Sequence, residues 1–118
     1  MEVEAETPSQ SVARTAQEIA TQTDARGRLI TVNRLNALQY YRLTKAMGLT
    51  ANNPASMDLA VIASSVRRID AMDVAMPLSE REVEFLMQQL DFDGLAAAGE
   101  ALKKLSVNIE DGIDAAKN

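Results

Sequence analysis

Three groups of carboxylates are spaced as if for chemistry: Asp70 with Asp73, Asp91 with Asp93, and Glu110 with Asp111 and Asp114. Paired carboxylates can divide general-acid and general-base work when burial raises the pKa of one of them. Each group here falls in a segment that reads as a turn, a helix cap or a terminal tail. There water solvates the charge and the acid has a structural use. Asp91-Phe92-Asp93-Gly94 looks like the start of a calcium loop, but Leu95-Ala96-Ala97-Ala98 adds no oxygen ligand and such a loop needs several more. No serine stands in a Gly-rich elbow or a Ser-x-x-Lys spacing, and no phosphate-cradling loop is present.

The chain contains no Cys and no His. Thiolate nucleophiles, disulfides and zinc–sulfur sites are thereby excluded, and so is the side chain best suited to proton transfer near neutral pH. The expectation is a non-enzymatic protein, without cofactor or metal, that works by binding.

Residues suited to binding gather on one predicted helix, 37–47. Leu38, Tyr41, Arg42 and Lys45 fall on the side opposite Tyr40, Leu43 and Met47. An apolar, aromatic and cationic strip fits an acidic amphipathic helix or a phosphate backbone. In the alternative, Leu38 and Tyr41 pack on a neighbouring hairpin and the cations are merely solvated. Phe85 lies off the Val83, Leu86 and Leu90 stripe, beside Arg81 and Gln89. It reads either as a second packing layer or as a contact residue.

Charge is segregated along the chain. Residues 1–24 carry Glu2, Glu4, Glu6, Glu18 and Asp24 against Arg14, residues 25–69 carry seven cations against Asp58, and residues 70–118 carry eleven acids against four cations. The net charge of −5 opposes general nucleic-acid binding, although the basic stretch 25–69 leaves a small nucleic-acid-binding regulator as the alternative. The acidic stretch 70–118 can also meet the basic stretch of a second copy, giving a salt-sensitive homo-oligomer.

The elements that must position these residues follow from local signals. β-Branched residues on either side of Asp24-Ala25-Arg26-Gly27 predict a hairpin over 21–33, with Ile30 and Val32 inward and Leu29 and Thr31 outward. Asn36 caps the helix 37–47 and Gly48 stops it. Asn53 and Pro54 open a second helix, 54–66, apolar almost all round and so expected in the middle of the fold. Ile69 to Val74 suits a second short hairpin. Ser79-Glu80-Arg81-Glu82 is a capping box, with Leu78 and Val83 placed for a hydrophobic staple, and opens a third helix, 79–90. A fourth, 93–105, is capped by Asp91 or Asp93 and buries Leu95, Ala98, Leu102 and Leu105.

The expected fold class is therefore mainly α (α+β): a β-hairpin followed by a compact bundle of about four short helices. One globular domain, 19–105, lies between flexible acidic tails at 1–18 and 106–118. Aromatics make up 3% of the 118 residues, so the core is built from Leu, Ile, Val, Met and Ala. At this size folding buries only about 60–65% of the unfolded chain's surface, and a thin core is expected. No apolar run approaches the length that spans a bilayer, and Met1 to Glu6 lacks the basic and apolar regions of a signal peptide. A cytoplasmic protein is expected.

Taken together, the segments resemble the small tail assembly chaperones of long-tailed bacteriophages and prophages. The resemblance rests on Asp24-Ala-Arg-Gly-Arg28, then Ile30-Thr31-Val32 and Arg34-Leu35, then Val66 through Ile69-Asp70 and Val74 before Pro77, and finally Gly94-Leu95 with Glu100-Ala101-Leu102. It covers about residues 23–105 and is one of order and texture. It implies a non-enzymatic cytoplasmic protein that binds the long helical tape measure protein, and the tail tube protein as a further partner, while tails assemble. It also implies absence from the finished particle, against the alternative of a structural tail component. Many such chaperones have a longer frameshifted form, whereas this chain ends at Asn118; its Lys117-Asn118 codons can carry a slippery heptamer.

Overall fold

Gly27, at φ 84°, turns the chain between β1 (Ile19–Thr23) and β2 (Leu29–Asn33). The strands pair antiparallel, with Ile19 opposite Asn33 and Thr23 opposite Leu29. A computed structural model describes residues 19–117 of the chain, with side chains as far as Leu105. The tails expected at 1–18 and 106–118 thus fall outside the residues whose side chains are described, although helical backbone continues to Lys117.

From β2 the chain enters α1 (Ala37–Met47) through a capping box. The Asn36 side chain accepts from the Gln39 amide, and the Gln39 side chain accepts from the Asn36 amide. A 3-10 turn (Gly48–Asn52) leads to α2 (Pro54–Ser64), which Asn53 caps through the Ser56 amide. The chain then returns to the sheet as β3 (Val66–Ile69), turns at Asp70 and Ala71, and pairs back as β4 (Met72–Asp73). The last element is α3 (Glu80–Lys117), interrupted at Asp91 by a non-helical backbone, φ 56° and ψ −171°.

Among the described residues the fold is α+β, an antiparallel sheet in the order β1-β2-β3-β4 with three helical elements, the last of them kinked at Asp91. The expectation of a hairpin and four helices is corrected in two places. The second hairpin joins the first, because β3 returns antiparallel along the free edge of β2, and so one four-stranded sheet forms. The expected third and fourth helices are both present but meet directly at Asp91, where a kink takes the place of a connecting loop.

Among the described residues two clusters make the core. The larger packs Ile30, Val32, Val66 and Ile69 of the sheet against Leu86, Leu90, Ala97, Ala98, Ala101 and Leu105 of α3. Three alanines let that helix lie close on the sheet. The smaller gathers Leu43 and Met47 of α1, Met57 and Ala60 of α2, and Val83 of α3. α2 serves both, since Ala63 belongs to the larger. It is not buried all round, however: Leu59 is exposed on its outer side.

Several side chains differ from expectation. Tyr40 is about half exposed, whereas Leu35 packs against the small cluster. Thr31, expected outward, is buried, flanked by Thr21 and Arg68 on the adjacent strands where the pairing with β3 shifts register. At the start of α3 the Ser79 hydroxyl accepts from the Glu82 amide at 3.2 Å, but the Glu82 carboxylate accepts from Leu78 N rather than from Ser79. Leu78 is 76% exposed, so the staple with Val83 does not form.

Candidate interaction surface

Leu38, Tyr41, Arg42 and Lys45 all lie exposed along α1, and Tyr41 is 60% exposed. The hairpin does not cover them. The reading in which Leu38 and Tyr41 pack on it is thereby removed. Lys45 Nζ lies 5.3 Å from the Tyr41 ring centroid, a cation–π arrangement at a separation where the attraction is modest in water. Among the described residues, neither Arg42 nor Lys45 pairs with a carboxylate.

Arg42 and Lys45 form one wall of a groove of about 510 Å³, and the strap Met76-Pro77-Leu78 forms the other. Leu38 and Tyr41 sit outside it on the same helix. Phe85, 61% exposed, lies in a second groove of about 350 Å³ between α3 and the segment Met72–Pro77. Met76 and Pro77 line both grooves. The structure therefore brings Arg42 and Lys45 together, keeps Leu38 and Tyr41 beside them, and places Phe85 across a ridge.

That ridge is fastened from beneath. Arg67 Nη1 donates to the Ser64 carbonyl at 2.6 Å, and Nη2 reaches the Met76 sulfur at 3.8 Å. Burial lowers the pKa of this guanidinium below its ordinary value, but an arginine so placed stays charged. Thr50 Oγ1 donates to the Glu80 carboxylate at 2.8 Å, tying the turn after α1 to the start of α3. The strap was missed in the sequence. Its only signal was Pro77 and Leu78 standing just before a capping box.

A second cluster was missed as well, at the hairpin tip. The Asp24 carboxylate accepts from the amides of Arg26 (2.9 Å) and Arg28 (2.8 Å) and from Arg28 Nε (2.7 Å). Burial pushes its pKa up, but the hydrogen bonds from Arg28 and Arg26 outweigh burial and hold it below the usual carboxylate range. Arg28 then donates to the carbonyls of Gln89 and Leu90, the last of the helical turn before the break. A cation there meets the negative end of a helix dipole. Arg26 bridges Asp91 at 2.9 Å and Asp93 at 3.2 Å. The Asp91 pKa is lowered by the Phe92 amide and then by Arg26.

Among the described side chains the candidate carboxylates are thus occupied, and Glu110, Asp111 and Asp114 lie outside those described. Asp70 accepts from the Leu29 amide, Asp73 meets Arg68, and Asp91 and Asp93 share Arg26. Asp91 does not cap in the expected manner, since besides Arg26 its side chain accepts only from the next amide, that of Phe92, and not from an amide a turn further on. Among the described residues the carboxylates with shifted pKa values, Asp24 and Asp91, both move down, the opposite of what a general acid requires. No three metal-ligating side chains come together among the described residues.

Many residues that carry the resemblance therefore have a folding role: Asp24, Arg26 and Arg28 make the hairpin-tip cluster, Gly94 lies where an added Cβ would come within 3.2 Å of Arg28, Arg34-Leu35 leads into α1, and Val66–Asp70 is β3 and its turn. No protein-family model, characterised protein or solved structure matches the chain. No helix among the described residues is long and apolar enough to cross a membrane.

Proposed function

We propose that the chain is a tail assembly chaperone of a long-tailed bacteriophage or prophage. In this reading it is non-catalytic and acts in the host cytoplasm. It binds helical segments of the tape measure protein and holds them soluble while tail tube subunits assemble. The observation that supports it best is the exposed apolar, aromatic and cationic face of α1, set beside a groove that a well-packed monomer has no need to leave open. Apolar anchors at Leu38, Tyr41 and Phe85 supply affinity, and Arg42 and Lys45 orient an acidic partner helix. A thin two-part core, rich in alanine, suits a protein that coats a partner and later leaves it.

Co-expression tests the reading. The partner is the protein encoded by the nearest very long, predominantly helical reading frame beside this gene. Its soluble yield rises with the chain and falls without it; an unchanged yield and no co-purification remove the chaperone reading. A DNA mobility shift that weakens with salt would favour the nucleic-acid regulator instead.

A further inference from the structure

We propose that the acidic N-terminal segment, residues 1–18, docks on the cationic groove of its own chain and screens the α1 face until a partner displaces it. The inference concerns regulation of the surface proposed above and rests on that reading for its biological purpose.

Three observations carry it. First, the charged side chains lining the groove are both cations, Arg42 and Lys45, and neither has a carboxylate partner among the described residues. Nearby Arg34 shares that condition. Second, the segment is complementary. Glu2, Glu4 and Glu6 alternate with Val3 and Ala5, and Arg14 is its single cation. In an extended chain that alternation sets the acids on one face and the apolar groups on the other, matching a groove with Arg42 and Lys45 on one wall and Met76, Pro77 and Leu78 on the other.

Third, the connection is short and on the right side. Ile19, where the described chain begins, lies opposite Asn33, and Asn33 leads through Arg34 and Leu35 into α1. The segment therefore emerges beside the N-terminal end of the helix it is to cover. The residues between Glu6 and Ile19 can span about 40 Å when extended, whereas the whole of α1 is about 16 Å long. An acidic partner helix and this segment then compete for the same cations. Docking keeps the face from non-specific polyanions, and a partner with more apolar anchors prevails.

The 118 residues contain no cysteine, so Ser9→Cys carries a single nitroxide label. The probe is paramagnetic broadening of backbone amide signals. The expected result is loss of intensity over Gln39–Ala46 and at Leu78, with the hairpin tip Ala25–Gly27 unaffected. The loss persists when labelled chain is diluted with isotopically silent chain, and disappears when Glu2, Glu4 and Glu6 are each changed to Gln. Uniform broadening, broadening away from α1, or an unchanged pattern in the Gln variant overturns the proposal. So does broadening that appears only between labelled and unlabelled copies, which would make the occupant a second molecule. No partner is present, so failure here leaves the chaperone reading to its own co-expression test.

Discussion

Arg28 Nη2 donates to the carbonyl of Leu90 over 2.8 Å, and it does so through space that a side chain at position 94 would need. A Cβ built on Gly94 falls 2.9 Å from both Cβ and Cδ2 of Leu90 and 3.2 Å from that guanidinium nitrogen. Gly94 thus lets the hairpin tip reach the end of the first helical turn-run and cap it where α3 breaks.

Two glycine substitutions in the same helix should therefore act in opposite directions. Gly94→Ala gains helix propensity but forces Leu90 or Arg28 to move, for a net loss of about 1–2 kcal/mol. Gly99→Ala meets only Ile62 Cδ1, at 3.9 Å, and should stabilise by about 0.5–1 kcal/mol. Denaturant unfolding of both variants checks the pair. Stabilisation by Gly94→Ala would show that the close approach to Arg28 is not real.

Asp91 holds a backbone conformation, φ 56° and ψ −171°, that belongs almost entirely to glycine. Arg26 and the Phe92 amide hold it there. Asp91→Gly removes the strain together with these contacts, whereas Asp91→Ala removes the contacts and keeps the strain. Asp91→Ala should melt at a lower temperature than Asp91→Gly. The reverse order would mean that the break is not strained.

Asp24 makes stability depend on pH. Its pKa in the folded chain is lowered, so its contribution is fully present above about pH 5, where the carboxyl is ionised in both states. It is lost as pH falls through the folded value. Asp24→Asn cannot ionise, so the gap in melting temperature between wild type and variant should be widest near neutral pH and narrow below about pH 4. A gap that stays constant from pH 7 to pH 3 would show that the hydrogen bonds from Arg26 and Arg28 do not favour the charged form.

The elements of this fold were legible because their local signals agree with their packing. Asn36, Gly48, Asn53 and Ser79 mark helix ends that the structure keeps, and Ile30 and Val32 are fully buried as their alternation requires. What could not be read was which elements meet. Nothing in Val66–Ile69 states that it pairs with β2 rather than forming a separate hairpin, because strand pairing is set by distant residues. The ion pairs of Arg26 with Asp91 and Asp93 join positions far apart in sequence and give no periodic pattern. Tyr40 followed helical spacing but is half exposed and does not join the five-residue cluster against which Leu35 packs. The strip on α1 was visible as an unpartnered helix face; the strap opposite it was not, since Met76-Pro77-Leu78 has no regular structure.

The account turns on whether the exposed face of α1 binds a partner helix or is only surface. The direct measurement is calorimetric titration of a helical segment of the proposed tape measure partner into wild type and into Tyr41→Ala/Arg42→Glu, with the melting temperature of each taken in parallel. Both residues are exposed, so the double variant should keep its stability within about 0.5 kcal/mol. Its affinity should fall about tenfold or more, because an aromatic anchor is removed and the orienting charge reversed. Unchanged affinity at unchanged stability would place the contact surface elsewhere, and unfolding of the double variant would show that these residues belong to the core.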